Sequence, residues 1–145
     1  MTETYAMTIE RDIPGPIAAV FDAWLDPSLL KQWMTPAPGM TVPEASVDPV
    51  VGGRFRIVMR AGDRDIPHDG QYQVIDRPNR LVFTWTSEPA GDDTLVTVTF
   101  TRVADDRTKV SLTHERFVGE HARDSHRKGW TPILDALARH METRT

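Results

Sequence analysis

The chain has 145 residues, 39% hydrophobic and 26% charged, with a formal net charge of -4 and no cysteine. That is a globular composition of a length suited to one domain, 1–145. The acidic balance excludes the basic surface that non-specific nucleic-acid binding uses, and the missing cysteines exclude disulfides, thiolate metal sites and a cysteine nucleophile. No apolar run approaches the ~20 residues of a membrane-spanning helix, so no membrane insertion is expected. Met1 to Glu10 carries Glu3 and Glu10 and no long apolar core, so it does not read as a leader, and a cytoplasmic location is expected.

In chain order, Tyr5, Met7 and Ile9 alternate with Ala6, Thr8 and Glu10, the period of a strand. Pro14-Gly15-Pro16 ends it, and Pro16 suits the first turn of a helix. Ile17, Val20, Phe21 and Trp24 have helical spacing. Asp26 is placed to cap a second short helix with Pro27 at its first position and Leu29, Leu30, Trp33 and Met34 as its apolar residues. Residues 35–43 read as a loop. Strands then follow at 44–48, 54–60, 67–76, 81–86, 96–101 and 110–114, with turns at Gly52-Gly53, Gly62 to Asp65, Pro78-Asn79, 89–93 and Asp105-Asp106. Such spacing predicts an antiparallel meander. His126, Trp130, Ile133, Leu134, Leu137 and Met141 recur at three and four residues, so the chain ends in an amphipathic helix. Pro132 inside it predicts a kink or a restart. A meander with one apolar face must cover that face, and this helix is the only element long enough. The fold class is therefore α+β: a curved antiparallel sheet of six to seven strands wrapped around a long C-terminal helix, with two short helices after the first strand.

Several segments carry a resemblance. Phe21-Asp22-Ala23-Trp24-Leu25-Asp26-Pro27 with Trp33 and Pro36 comes first, then Asp48 followed by Gly52-Gly53-Arg54-Phe55. Gly70-x-Tyr72, Arg80-Leu81, Thr84-Trp85, Leu112-Thr113-His114 and Gly129-Trp130-x-x-Ile133-Leu134-x-x-Leu137 follow in order. Together they resemble the heat-shock chaperone ATPase-activator homologue family of the START-like (SRPBCC) helix-grip superfamily, over roughly residues 5–142. The resemblance implies a cavity between sheet and helix. It also implies ligands of the lipid, hormone or aromatic polyketide kind, cyclisation chemistry in some members, and a possible chaperone partner. The chain departs from the commoner pattern at Met34, where a second aromatic often follows Trp33, and at Pro132.

The inward-facing residues expected to line that cavity are Trp24, Trp33, Met34, Phe55, Ile57, Met59, Tyr72, Phe83, Trp85, Phe100, His114, Trp130, Leu134 and Met141. For any one of them plain core packing is the commoner role, because large apolar residues are normally buried. As a set they are bulky and flexible enough to wall a pocket. His114 is placed inward by alternation from Val110 and Leu112, where it would serve as a structural hydrogen-bonder or as an acid or base near neutral pH. His68 shares the face of Tyr72 but stands at a strand start, which favours solvent, and Tyr72 could offer its hydroxyl to a ligand. Asp48 and Arg54 read as a pair that stabilises the turn between them, and Arg54, Arg56 and Arg60 as a solvated stripe.

His121 and His126 are five apart, on different helix faces, and no metal, phosphate-loop or nucleophile-elbow motif occurs, so no catalytic residue, metal or cofactor is expected. Three functions remain: a binding domain for a small apolar or aromatic molecule, a cyclase- or hydrolase-type enzyme using the same cavity, and a co-chaperone-like interaction module with an exposed apolar patch. The first is favoured. An open sheet edge would make a homodimer possible.

Overall fold

A computed structural model describes residues 4–142 of the chain, so Glu3 lies outside the described residues. Strand β1 (Tyr5–Pro14) leads into helices α1 (Ile17–Asp22) and α2 (Pro27–Trp33). Six more strands follow: β2 (Thr41–Val47), β3 (Arg54–Ala61), β4 (Arg64–Asp76), β5 (Arg80–Ser87), β6 (Gly91–Ala104) and β7 (Arg107–Phe117). Helix α3 (Glu120–Glu142) closes the chain. The seven strands form one antiparallel sheet in the order β1-β7-β6-β5-β4-β3-β2. This is the expected α+β helix-grip arrangement. Because β1 and β2 are opposite edges, α1 and α2 carry the chain across the sheet, and α3 packs against β1, β7 and α2.

Local chemistry explains the short helices. The Asp26 carboxylate accepts from the Ser28 and Leu29 amides at 2.9 and 3.4 Å, with Pro27 at the first helical position, as the sequence predicts. Trp33 Nε1 donates to the Ala23 carbonyl at 3.2 Å and ties α2 back to the end of α1. Trp24 then meets Trp33 edge-on, with ring centroids 4.8 Å apart.

The β3–β4 hairpin is tighter than its sequence suggests. Its turn is Gly62-Asp63 alone, Gly62 having φ +64, so Arg64 and Asp65 belong to β4 and the strand begins three residues earlier than expected. Arg60 faces Asp65, and Arg56 faces Asp69, in register across the pair. Each guanidinium donates twice to its carboxylate, at 2.6 and 3.0 Å for Arg60 and 2.9 and 3.4 Å for Arg56. Arg56 and Arg60, two of the three arginines of the basic stripe, are therefore paired on the solvent face, where such contacts fix register more than they add stability.

Helix α3 starts at Glu120, earlier than its apolar spacing indicates, and runs through Pro132 as one element with no restart. Trp130 on one side of the proline and Ile133, Leu134, Leu137 and Met141 on the other are all buried. Both halves are thus held to the core, and packing outweighs the one lost backbone bond.

Gly70 shows how closely the sheet folds on itself. A Cβ there would lie 2.1 Å from the Thr84 carbonyl oxygen and 2.3 Å from the Phe55 ring. The ring occupies the space that a side chain on the neighbouring strand would fill. Gly70→Ala is therefore expected to destabilise the protein by roughly 3 kcal/mol in urea unfolding. Gly119→Ala, where nothing lies within 4 Å of the added carbon, should stay within about 0.5 kcal/mol.

Candidate ligand-binding cavity

Where α3 stands off the sheet there is a cavity of about 170 Å³. Its floor is Met59 from β3, His68 from β4, Trp85 from β5, and Trp130 and Ile133 from α3, all buried. Its mouth is formed by Pro36 and Met40 from the α2–β2 loop, Pro89 from the β5–β6 turn, and Ser125 and His126 from the first turns of α3. Ile66 and Gly129 complete the wall. A second, inner void of about 10 Å³ is lined by buried residues alone: Trp24, Leu30, Met34, Phe55, Ile57, Tyr72, Phe83 and Trp85 itself.

The sequence-expected residues divide between these places. Met59, Trp85 and Trp130 line the outer cavity; Trp24, Met34, Phe55, Ile57, Tyr72, Phe83 and again Trp85 line the inner void. Trp33, Phe100, His114, Leu134 and Met141 line neither and are packed in the core. Phe100, for example, meets Phe21 edge-on at 5.1 Å.

His114 is fully buried, and its bonds fix its tautomer. The Trp130 indole, which can only donate, gives its Nε1 proton to His114 Nδ1 at 3.0 Å. The neutral ring therefore carries its own proton on Nε2 and donates it to Thr94 Oγ1 at 2.9 Å. The Thr94 hydroxyl in turn donates to the Trp85 carbonyl. Every polar atom of the imidazole is used, so His114 is not available as an acid or base for a ligand. Burial, with a further push from His126, lowers its pKa to about 2. The ring is a tie between helix and sheet.

His68 corrects the expectation of a solvent-facing residue. The early start of β4 puts it well inside the strand, where it is only 6% exposed. Its Nδ1 lies 3.3 Å from the Ile57 carbonyl, its ring is 5.0 Å from Trp85, and burial lowers its pKa to about 4. His126 donates from Nδ1 to the Ala122 carbonyl of its own helix at 2.8 Å, and burial lowers its pKa too. It was legible as part of the helical apolar stripe but not as a cavity residue. Pro36, Met40 and Pro89 come from loops, whose approach to α3 no sequence period encodes. At the Gly52-Gly53 turn, closure is by backbone: the Asp48 amide donates to the Arg54 carbonyl at 3.0 Å and the Gly53 amide to the Val50 carbonyl at 2.8 Å. Among the described residues, no group of three or more His, Asp or Glu side chains could hold a metal ion.

The buried histidines set a pH dependence. An unfolded histidine takes up a proton near pH 6.5, whereas His114 and His68 stay neutral in the fold down to about 2 and about 4. The unfolded chain then binds more protons, so stability falls as pH drops below 6.5. Urea unfolding at pH 5.0 should show a loss of about 2 kcal/mol for each of the two relative to pH 7.5. Asp22 and Asp65, held below the usual carboxylate range by hydrogen bonds from Arg77 and Arg60, act only in a lower window, below 3.8. Equal stability at pH 7.5 and 5.0 would mean that both rings protonate inside the fold.

Comparison with known proteins bears on this geometry. The AHSA1 protein of Silicibacter pomeroyi superposes with a TM-score of 0.85 at 23% identity, covering 97% of this chain and 100% of its own. The AHSA1-like protein of Aeromonas hydrophila gives 0.81 at 29%, covering 97% and 94%. An HSP90 activator from Plasmodium falciparum gives 0.70 at 24%, covering 90% and 91%. No curated protein sequence matches the chain. Residues 14–142 match the family described as Activator of Hsp90 ATPase homolog 1-like protein. With nearly the whole sheet, both short helices and α3 inside that match, the chain belongs to the AHSA1-like family.

Proposed function

We propose that the chain is a single binding domain for a small, uncharged, apolar or aromatic molecule held in the outer cavity between the sheet and α3. The observation that carries this is the cavity itself: about 170 Å³ of space walled mainly by aromatic and aliphatic side chains, with His68, Ser125 and His126 as its polar members. An apolar hole of roughly 150 Å³ takes one benzene ring, so a single-ring compound fits, and an acyl chain of lipid length does not. Met40 and Met59 can repack around ligands of different outline.

Two other readings have less support. A hydrolase or cyclase acting through His114 lacks a free ring nitrogen there. An interaction module of the kind named for the Plasmodium relative calls for a contiguous apolar patch. Among the described residues the exposed large apolar side chains are instead Val50, Val51, Val103 and Val118, at three places along the chain. Pairing of two copies through a sheet edge is disfavoured, because both edge strands, β1 and β2, carry a register irregularity.

Native mass spectrometry of gently purified protein, followed by a thermal-shift series with toluene and related single-ring compounds, tests the proposal. At a hundredfold excess over Kd, binding should add about 2.7 kcal/mol and raise the Tm by roughly 5–10 °C. Ile133→Phe, which puts bulk into the cavity, should abolish the shift while leaving the far-UV circular dichroism unchanged. A protein that carries no co-purified mass, and that no such compound stabilises, would overturn the reading.

A further inference from the structure

The inner void has a chemistry of its own. Two of its walls are the indoles of Trp24 and Trp85, 4% and 2% exposed, and neither buried Nε1–H has a hydrogen-bond partner. The chain has four tryptophans. The other two are satisfied, Trp33 by the Ala23 carbonyl at 3.2 Å and Trp130 by His114 at 3.0 Å. Native folds leave few buried donors unpaired, because each costs roughly 1–3 kcal/mol. Two such donors, on two residues that line one void, therefore need an account. Tyr72, which carries a hydroxyl, lines the same void, and apart from it and the two indoles every lining side chain is apolar. Space of about 10 Å³ is that of one water-sized atom.

We infer that the inner void is an acceptor subsite, taking the oxygen of an uncharged carbonyl group borne by the ring compound in the outer cavity and bonding it to Nε1–H of Trp24 and Nε1–H of Trp85. This rests on the outer cavity's being a binding site. A carbonyl oxygen brings two lone pairs and no proton, which matches two donors. A carboxylate would arrive as a buried charge with no cation on the wall to meet it. Trp85 is common to both spaces, with the flexible side chains of Met59 on the outer side and Met34 on the inner. Rotation of these flexible side chains must open the way for the carbonyl.

The four indoles provide the test and its controls. Acetophenone and α-methylstyrene share one skeleton and differ by oxygen against methylene, and both are titrated into the full-length ¹⁵N-labelled protein. Acetophenone should bind roughly tenfold more tightly. The Trp24 and Trp85 indole protons should move downfield with it and not with the hydrocarbon, while those of Trp33 and Trp130 hold still. Trp24→Phe, which leaves the lining of the outer cavity intact, should reduce the preference with α-methylstyrene still bound. Equal affinity for the two compounds, or a preference with the Trp24 and Trp85 signals unmoved, overturns the acceptor subsite and leaves the binding domain standing. Binding of neither compound overturns both.

Discussion

The hydrogen bond from Trp130 Nε1 to His114 Nδ1 is the constraint on which the rest depends. It joins the one long helix to the middle of β7, and it is the first link of a directed chain that passes through Thr94 on β6 to the backbone of Trp85 on β5. Both large aromatic walls of the outer cavity, Trp130 and Trp85, are thus ends of one polar chain. With their rings 5.1 Å apart, they cannot drift independently without leaving a buried donor or acceptor open. Such chains are costly when half made and rigid when complete. The distance at which α3 stands from the sheet is therefore constrained by hydrogen-bond geometry as well as by hydrophobic contact.

The sheet contributes the other half of the geometry. The pairing of β4 with β5 shifts register between Tyr72 and Val74, and that of β5 with β6 between Trp85 and Ser87. Irregularities of this kind bend a strand and re-aim the side chains beside them. Here they sit next to two walls of the inner void. Gly70 allows the bend, because Phe55 lies across the space where its side chain would be. Curvature, the aromatic cluster of Phe55, Tyr72 and Phe83, and the position of Trp85 are thus parts of one arrangement.

How much of this was legible in the sequence depends on what kind of signal each feature has. Alternation and helical spacing identify all seven strands and α3, and the Asp26-Pro27 start of α2 follows from capping chemistry. Parity also names the inward face, so seven of the expected residues meet at the inner void and three at the outer cavity, with Trp85 in both. Parity does not say how deep along a strand a residue lies. That is why Phe100 and His114, on the correct face, end in filled core. His68 was misplaced for a related reason: Arg64 and Asp65 look like turn residues, yet they extend β4, with Asp65 paired to Arg60 across the hairpin. The loop residues at the mouth have no period to betray them.

Gly129 is consistent with the binding role proposed for the outer cavity. Glycine within a helix costs about 1 kcal/mol relative to alanine, so a helix interior keeps one only for a reason. The usual reason, a neighbour too close for a side chain, does not hold here. A Cβ at Gly129 would meet only Pro36 Cβ, at an ordinary 3.6 Å. Gly129 also sits in the cavity wall, one residue before the tryptophan that anchors α3. Folding alone would favour a larger residue there, which would extend helical propensity and fill empty space at once. What glycine leaves there is room beside Trp130, as the proposed binding role of the cavity requires.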